Sequence, residues 1–186
     1  MEITTTLEVS DRGAWRAWLE EHHLTEREIW LVYPRKQTGQ PRIPYNDVVE
    51  EALCFGWIDS TLKTLDADRL AQRFSPRRPG IPYSQPNRER LRRMLERGKV
   101  AAHVLEKVAG LDLDSFEFPP DILRALRASE AAWQNFQGFS GPYQRIRVAF
   151  VDDARSRPEE FEKRLRHFVR MTEKNRRFGH DIESFY

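Results

Sequence analysis

The chain has 186 residues, of which 32% are charged and 39% hydrophobic, a balance typical of a folded globular protein and unlike that of a disordered chain. No apolar run approaches the ~18 residues that cross a bilayer, and the first residues lack the basic and apolar regions of a signal peptide. The only cysteine, Cys54, allows no internal disulfide. These features predict a cytoplasmic protein without membrane insertion.

The formal net charge is only +2, but the charges are unevenly distributed along the chain. Residues 1–68 contain 7 basic and 13 acidic side chains, whereas residues 69–99 contain 10 basic and 2 acidic side chains. The basic segment could bind an anionic partner. The alternative is a solvated, arginine-rich helix face that the acidic N-terminal third balances.

The first elements follow from the spacing of apolar residues. Alternation from Ile3 to Val9 predicts a half-buried strand, and Trp15, Trp18 and Leu19 share one face of a predicted helix. The segment "EIWLVYP", residues 28–34, is almost continuously apolar and predicts an interior strand.

A helix, a corner and a hairpin are predicted next. Asp47 and Glu50 are spaced as in a capping box, and Gly56 stands where a helix would end with positive φ. From Ile58 the period changes to two residues, which predicts a strand, a turn at residues 66–68 and a return strand over residues 69–75. In this arrangement Asp59 and Lys63 share one face with Arg73.

The second half of the sequence has helical periodicity and capping signals. Helices are predicted near residues 88–98, 121–128, 130–137 and 142–154, followed by a long final helix. The sequence therefore predicts an α+β protein with a small, mainly antiparallel sheet flanked by helices. Residues 1–110 would form this α+β domain, and residues 111–186 a helical C-terminal module packed on it.

The predicted hairpin supplies the strongest candidate site. Asp59, Lys63 and Arg73 would form a polar pocket floor with an anion-binding arginine, and Trp57 would form its aromatic wall. The alternative is an ion pair on a solvated sheet face, which contributes about 0–1 kcal/mol.

Other kinds of site have little support in the sequence. The histidines do not have metal-ligand spacing, there is no second cysteine, and neither GxSxG nor GxGxxG occurs, so we expect no metal and no cofactor. The Arg88–Lys99 segment could bind phosphates weakly, but no nucleic-acid-binding motif accompanies it, which makes nucleic acid an unlikely partner.

Three segments resemble a known family. "ALCFGWIDS", "RFSPRR" and "YSQPNRERLRRMLERGKV" are similar to motifs of the YdeI/OmpD-associated, or bacteriocin-protection, family, and residues 118–168 resemble its C-terminal helical module. Two departures stand out: Tyr83 replaces the usual tryptophan, and the ETR triplet of the C-terminal module is missing. The motif positions are Gly56, Trp57, Ile58, Asp59, Arg73, Phe74, Pro76, Arg77, Arg78, Ser84 and Asn87.

This resemblance implies a non-enzymatic, cytoplasmic binding or stress-protection protein connected with tolerance of bacteriocins or antimicrobial peptides. Its partner would be a small anionic ligand or a protein. The alternatives are an enzyme that uses Asp59 as acid or base on an anionic substrate, and nucleic-acid binding through the Arg88–Lys99 helix. The candidate ligand-binding residues are Trp57, Asp59, Lys63, Arg73, Arg77, Arg78, Ser84 and Asn87.

Overall fold

A computed structural model describes residues 2–113 and 115–186. Contacts between residues divide the chain into two compact units, residues 1–111 and 112–186, hereafter the N-terminal and C-terminal units. The first contains a sheet with helices and the second is helical. The predicted α+β class is therefore confirmed.

The N-terminal unit contains a four-stranded sheet with the order β1-β2-β4-β3. β1 runs parallel to β2, and the β2–β4 and β4–β3 pairs are antiparallel. The strands are β1 Thr6–Glu8, β2 Ile29–Pro34, β3 Trp57–Thr64 and β4 Arg69–Pro76. The interior position of the "EIWLVYP" strand and the hairpin of β3 and β4 agree with the sequence patterns.

Helices pack on one face of this sheet, where Trp15 contacts Phe74 with ring centroids 5.3 Å apart. The opposite face carries a smaller apolar cluster of Trp30, Val32 and Ala71. The helices are α1 Arg12–His22, α2 Tyr45–Cys54, α3 Gln85–Glu96 and α4 Ala102–Val108, with a 3-10 helix at Lys36–Thr38.

The start of α2 differs from the prediction. The helix begins at Tyr45 after Pro44, which makes no side-chain cap, so the predicted capping box of Asp47 and Glu50 is wrong. Both carboxylates instead bind Arg12 of α1, at 2.9 and 3.0 Å. These two carboxylates therefore form ion pairs with another helix and do not cap their own. The same spacing in the sequence is compatible with either role.

Gly56 forms the corner between α2 and β3. Its φ is +74°, so the predicted positive φ is confirmed. The carbonyl of Gly56 accepts a hydrogen bond from the Arg77 amide at 2.9 Å, which links this corner to the end of β4. The corner therefore fixes the position at which β3 enters the sheet.

Replacing Gly56 with alanine should lower the free energy of unfolding by about 1 kcal/mol or more, because a side chain disfavours this backbone conformation. The new Cβ would also lie 3.3 Å from Cγ2 of Val104. Gly80→Ala is the matched control, since Gly80 has φ +78° and nothing within 4 Å of the new Cβ. Denaturant unfolding should show the larger loss for Gly56→Ala, and equal losses would contradict the contact with Val104.

An irregularity in β3 changes the predicted arrangement of side chains. Asp59 pairs with Phe74 and Leu62 pairs with Gln72, so two residues of β3, Ser60 and Thr61, stand opposite the single residue 73. A β-bulge of this kind reverses the alternation of side chains. Asp59 consequently faces the helices, whereas Lys63 lies on the other face, and the predicted common face is wrong.

Within residues 115–186, the C-terminal unit has four helices and a final 3-10 helix, and the helices predicted there lie within about two residues of the observed ones. They are α5 Pro120–Arg127, α6 Glu130–Gly138, α7 Gly141–Asp152 and α8 Pro158–Glu173, with the 3-10 helix at His180–Phe185. Their apolar faces surround a core that includes Phe136, Tyr143 and Phe168.

Candidate functional site

Trp57 lies in the core at the junction between the sheet and α1. Its side chain is 1% exposed, its Nε1 donates a hydrogen bond to the His23 carbonyl at 3.1 Å, and its ring meets Trp18 edge-on. The prediction that Trp57 packs at this junction is confirmed. With this burial the ring has very little surface that a ligand could contact.

Asp59 belongs to a group of hydrogen-bonded side chains on the helix-covered face of the sheet. Its Oδ2 accepts hydrogen bonds from Tyr45 Oη at 2.9 Å and Gln72 Nε2 at 3.3 Å. Gln72 Oε1 in turn accepts one from Tyr33 Oη at 3.2 Å. We call Tyr33, Tyr45, Asp59 and Gln72 the Asp59 cluster. The Asp59 carboxylate thereby fixes the positions of the Tyr45 hydroxyl and the Gln72 side-chain amide.

Arg73 has other partners than the predicted one. Its Nε and Nη2 lie 2.7 and 2.6 Å from Oε2 of Glu28, and its Nη1 lies 3.3 Å from Ser60 Oγ. The hydrogen bond from Thr4 and then that from Arg73 lower the pKa of Glu28. The predicted pairing of Asp59 with Arg73 is wrong, because the bulge places the two side chains on opposite faces.

Arg77 and Arg78 follow β4 and do not pair with Asp59 either. Arg77 donates to the Ile81 carbonyl at 2.7 Å, and its guanidinium lies 3.7 Å from the centre of the Tyr83 ring. Arg78 is exposed. These contacts shape the loop between β4 and α3.

The remaining predicted residues are divided between several places. Lys63 lies over the Trp30 ring at 5.7 Å, on the face away from the helices. Ser84 precedes α3 without a side-chain cap. Asn87 accepts a hydrogen bond from Arg90 at 2.8 Å, and Arg90 lies over the ring of Tyr45 at 5.7 Å. Asn87 therefore connects to the Asp59 cluster through Arg90.

Sequence analysis missed Arg42, which lies beside this cluster. Its guanidinium is 5.7 Å from the centre of the Tyr33 ring, and no carboxylate in residues 2–113 or 115–186 pairs with it. Burial is the main reason that the pKa of Tyr33 is raised, and Arg42 opposes this rise while Asp59 adds to it. Arg42 lies in a proline-rich loop without periodicity, so no sequence pattern indicated which residues its side chain would contact.

A cavity of about 450 Å³ is lined in part by Tyr33 and lies next to the carboxyl ends of the parallel strands β1 and β2. It contains one ion pair, between Glu8 and Arg69 at 2.7 Å. Its lining residues are Glu8, Val9, Ser10, Val32, Tyr33, Pro34, Gln40, Pro41 and Arg69. This mixture of apolar, polar and charged groups suits a small polar ligand.

Most of the Arg88–Lys99 segment lies in α3, and several of its arginines are engaged by protein acceptors. Arg92 pairs with Glu89 at 2.9 Å and Arg93 with Glu50 at 3.0 Å, and both glutamates are buried. The buried Arg90 donates to Asn46 at 2.9 Å. A phosphate that used these three guanidinium groups would have to compete with the existing contacts.

The remaining chemistry of the described chain is limited. Burial, together with the nearby Glu51 charge, raises the pKa of the Cys54 thiol to about 12, so the thiol stays protonated at neutral pH. In the part of the chain that the structure describes, no three His, Cys, Asp or Glu side chains are grouped as metal ligands. No helix there has the length and apolar character of a membrane span.

Models of two known families match consecutive parts of the chain. The model described as Domain of unknown function (DUF8412) matches residues 7–107, which include the Gly56 corner and the Asp59 cluster. The model described as Bacteriocin-protection, YdeI or OmpD-Associated matches residues 115–175, and this match confirms the family resemblance in the C-terminal module. The search of curated proteins and the search of solved structures found no significant match. The chain thus belongs to the DUF8412 family, with a YdeI/OmpD-associated domain following it.

Proposed function

We propose that this is a non-enzymatic, cytoplasmic binding protein that acts in bacteriocin protection by binding a small anionic ligand beside Tyr33. The match to the bacteriocin-protection family over residues 115–175 supports the biological role. The observation that carries the ligand class is Arg42, a half-buried cation that no described carboxylate neutralises. A ligand carboxylate or phosphate would supply the missing charge.

Tyr33 connects Arg42 to the cavity. Tyr33 is one of the residues that line the 450 Å³ space, and the Arg42 guanidinium lies over its ring at 5.7 Å. Its hydroxyl is fixed by Gln72, which Asp59 holds in turn. Asp59 is therefore a positioning residue in this proposal, because it acts on the ligand through Gln72 and Tyr33.

The same geometry weighs against Asp59 as a general acid or base. Such a group must reach the proton that it transfers within about 3 Å. The Oδ2 atom of Asp59 already accepts hydrogen bonds from Tyr45 and Gln72. A binding role requires no rearrangement of these contacts, whereas proton transfer to a substrate through Oδ2 would.

Thermal unfolding in the presence of small anions tests the proposal. Citrate, inorganic phosphate and a nucleoside monophosphate are suitable probes, with chloride at equal ionic strength as reference. A ligand at 100 times its Kd stabilises by about 2.7 kcal/mol, which corresponds to a rise in Tm of several degrees. We expect at least one probe to raise Tm, and Arg42→Gln to abolish the rise.

Arg97→Gln is the matched control, since Arg97 is an exposed arginine of the same unit, just after α3. It should keep the full rise in Tm. If Arg42→Gln retains the rise, Arg42 is not the anion-binding group. If no anion stabilises the wild-type protein above chloride, the ligand class is wrong.

The protective role needs a cellular experiment. A bacterial strain that lacks its own YdeI/OmpD-associated protein would express the wild-type chain, Arg42→Gln or Arg97→Gln at equal levels. We expect the wild-type and Arg97→Gln chains to raise the inhibitory concentration of a bacteriocin, and Arg42→Gln to fail. Equal sensitivity of all three strains and of the empty strain would contradict a protective function.

A further inference from the structure

Arg147 of α7 is a buried arginine in the C-terminal unit. Its side chain is 7% exposed, and its Nε has no hydrogen-bond partner. Among the described residues, no acidic side chain forms an ion pair with it, and no acceptor receives a hydrogen bond from its guanidinium. Burial lowers the pKa of Arg147, while Tyr143, Tyr186 and Asp181 partly oppose that shift. An arginine remains charged nonetheless.

Aromatic rings surround this guanidinium group. Its carbon lies 4.8 Å from the centre of the Phe178 ring, 5.0 Å from that of Phe150 and 6.0 Å from that of Tyr143. Gly179 covers it closely, because a Cβ at residue 179 would stand 3.0–3.2 Å from the guanidinium atoms. Rings and glycine therefore pack around the group without supplying a hydrogen-bond acceptor.

Aromatic rings compensate only part of the cost of burying a cation. They attract the charge through their faces, but they leave the N–H groups of the guanidinium without the acceptors that water would provide. Buried charges in proteins are normally paired. A carboxylate matches the planar fork of an arginine and would satisfy two N–H groups at once.

We propose that Arg147 is the anion-binding residue of a second site, which holds a small organic carboxylate beside Phe150. Phe150 is 37% exposed, so one wall of the site reaches the surface. The ring walls favour a carboxylate that carries an aromatic or otherwise apolar group. This site lies in the C-terminal unit and does not depend on Arg42 or on the ligand proposed for the N-terminal unit.

The Nε–H group of Arg147 provides a direct readout by 15N NMR of the full chain. Its signal is identified by its loss in Arg147→Lys. We expect benzoate to shift this signal in a saturable manner and to raise Tm, whereas chloride at equal ionic strength does neither. Inorganic phosphate tests whether any oxyanion suffices, and we expect it to act more weakly than benzoate. A phosphate effect at least as strong would contradict the carboxylate assignment.

Arg147→Met keeps the length and apolar body of the side chain and removes the charge. It should abolish the rise in Tm caused by benzoate. Arg164→Met is the matched control, because Arg164 also packs on Phe150, at 4.1 Å, but is paired with Glu160. It should retain the rise, and so should Arg42→Gln, which separates this site from the other proposal.

Arg147→Lys keeps the positive charge but lacks the planar guanidinium group that donates two hydrogen bonds to one carboxylate. We expect this substitution to weaken benzoate binding several-fold. It also provides the test if Arg147→Met does not fold. The proposal is overturned if benzoate leaves the Arg147 signal unchanged, or if chloride shifts it equally. Full benzoate stabilisation of a folded Arg147→Met or Arg147→Lys protein would likewise exclude this residue as the site.

Discussion

Replacing Arg12 with alanine is expected to lower the free energy of unfolding by about 3–5 kcal/mol, because it removes a partner from carboxylates that water cannot reach. Arg12 binds Glu51 at 2.5 Å, Glu50 at 3.0 Å and Asp47 at 2.9 Å. Glu51 is 0% and Glu50 1% exposed. Urea unfolding followed by circular dichroism measures the loss.

Arg69→Ala is the control for this experiment. Arg69 also binds two carboxylates, those of Glu8 and Asp66, but all three groups are exposed. Exposed ion pairs contribute little, so we expect a much smaller change. If Arg12→Ala destabilises the protein no more than Arg69→Ala, the contacts of Arg16 and Arg93 with the buried glutamates suffice without Arg12.

Replacing Trp57 with alanine is expected to cost about 3–5 kcal/mol of stability, because it opens a large cavity at the junction of the sheet and α1. The substitution also leaves the His23 carbonyl without its indole donor. Trp57→Phe fills most of the volume and should cost considerably less. Denaturant unfolding of both variants separates the packing contribution from that of the hydrogen bond.

The Trp57 variants also test whether this predicted site residue contacts a ligand. If Trp57→Phe remains folded and responds to anions like the wild type, Trp57 acts through packing alone. If Trp57→Phe loses the response while Arg42→Gln keeps it, the ligand lies at the Gly56 corner. That result would contradict the position proposed beside Tyr33.

Local patterns in the sequence were sufficient for most of the fold. Continuous apolar residues identified the interior strand β2, and the change of period at Ile58 identified β3. Gly56 was predictable because few other residues adopt positive φ at a helix end. In each case the chemistry that decides the structure lies within a few neighbouring residues.

The candidate site depended on contacts between distant residues, which local patterns do not contain. A bulge of two residues moved Asp59 to the helix-covered face, and alternation in β3 gave no sign of it. Arg73 pairs with Glu28, which is 45 residues away in the sequence. Likewise, the direction of Arg42 depends on how its loop packs against Tyr33. Sequence patterns therefore did not give the partners of these side chains.

The bulge at Ser60 and Thr61 has a consequence for the solubility of the folded chain. β3 lies at one end of the strand order, where a regular strand would present unpaired N–H and C=O groups to a second molecule. Ser60 and Thr61 interrupt that row, and Lys63, two residues after Thr61, adds a charge to the strand. β3 has eight residues, and loss of either Ser60 or Thr61 would restore regular spacing along the remaining seven and create an edge suited to intermolecular aggregation.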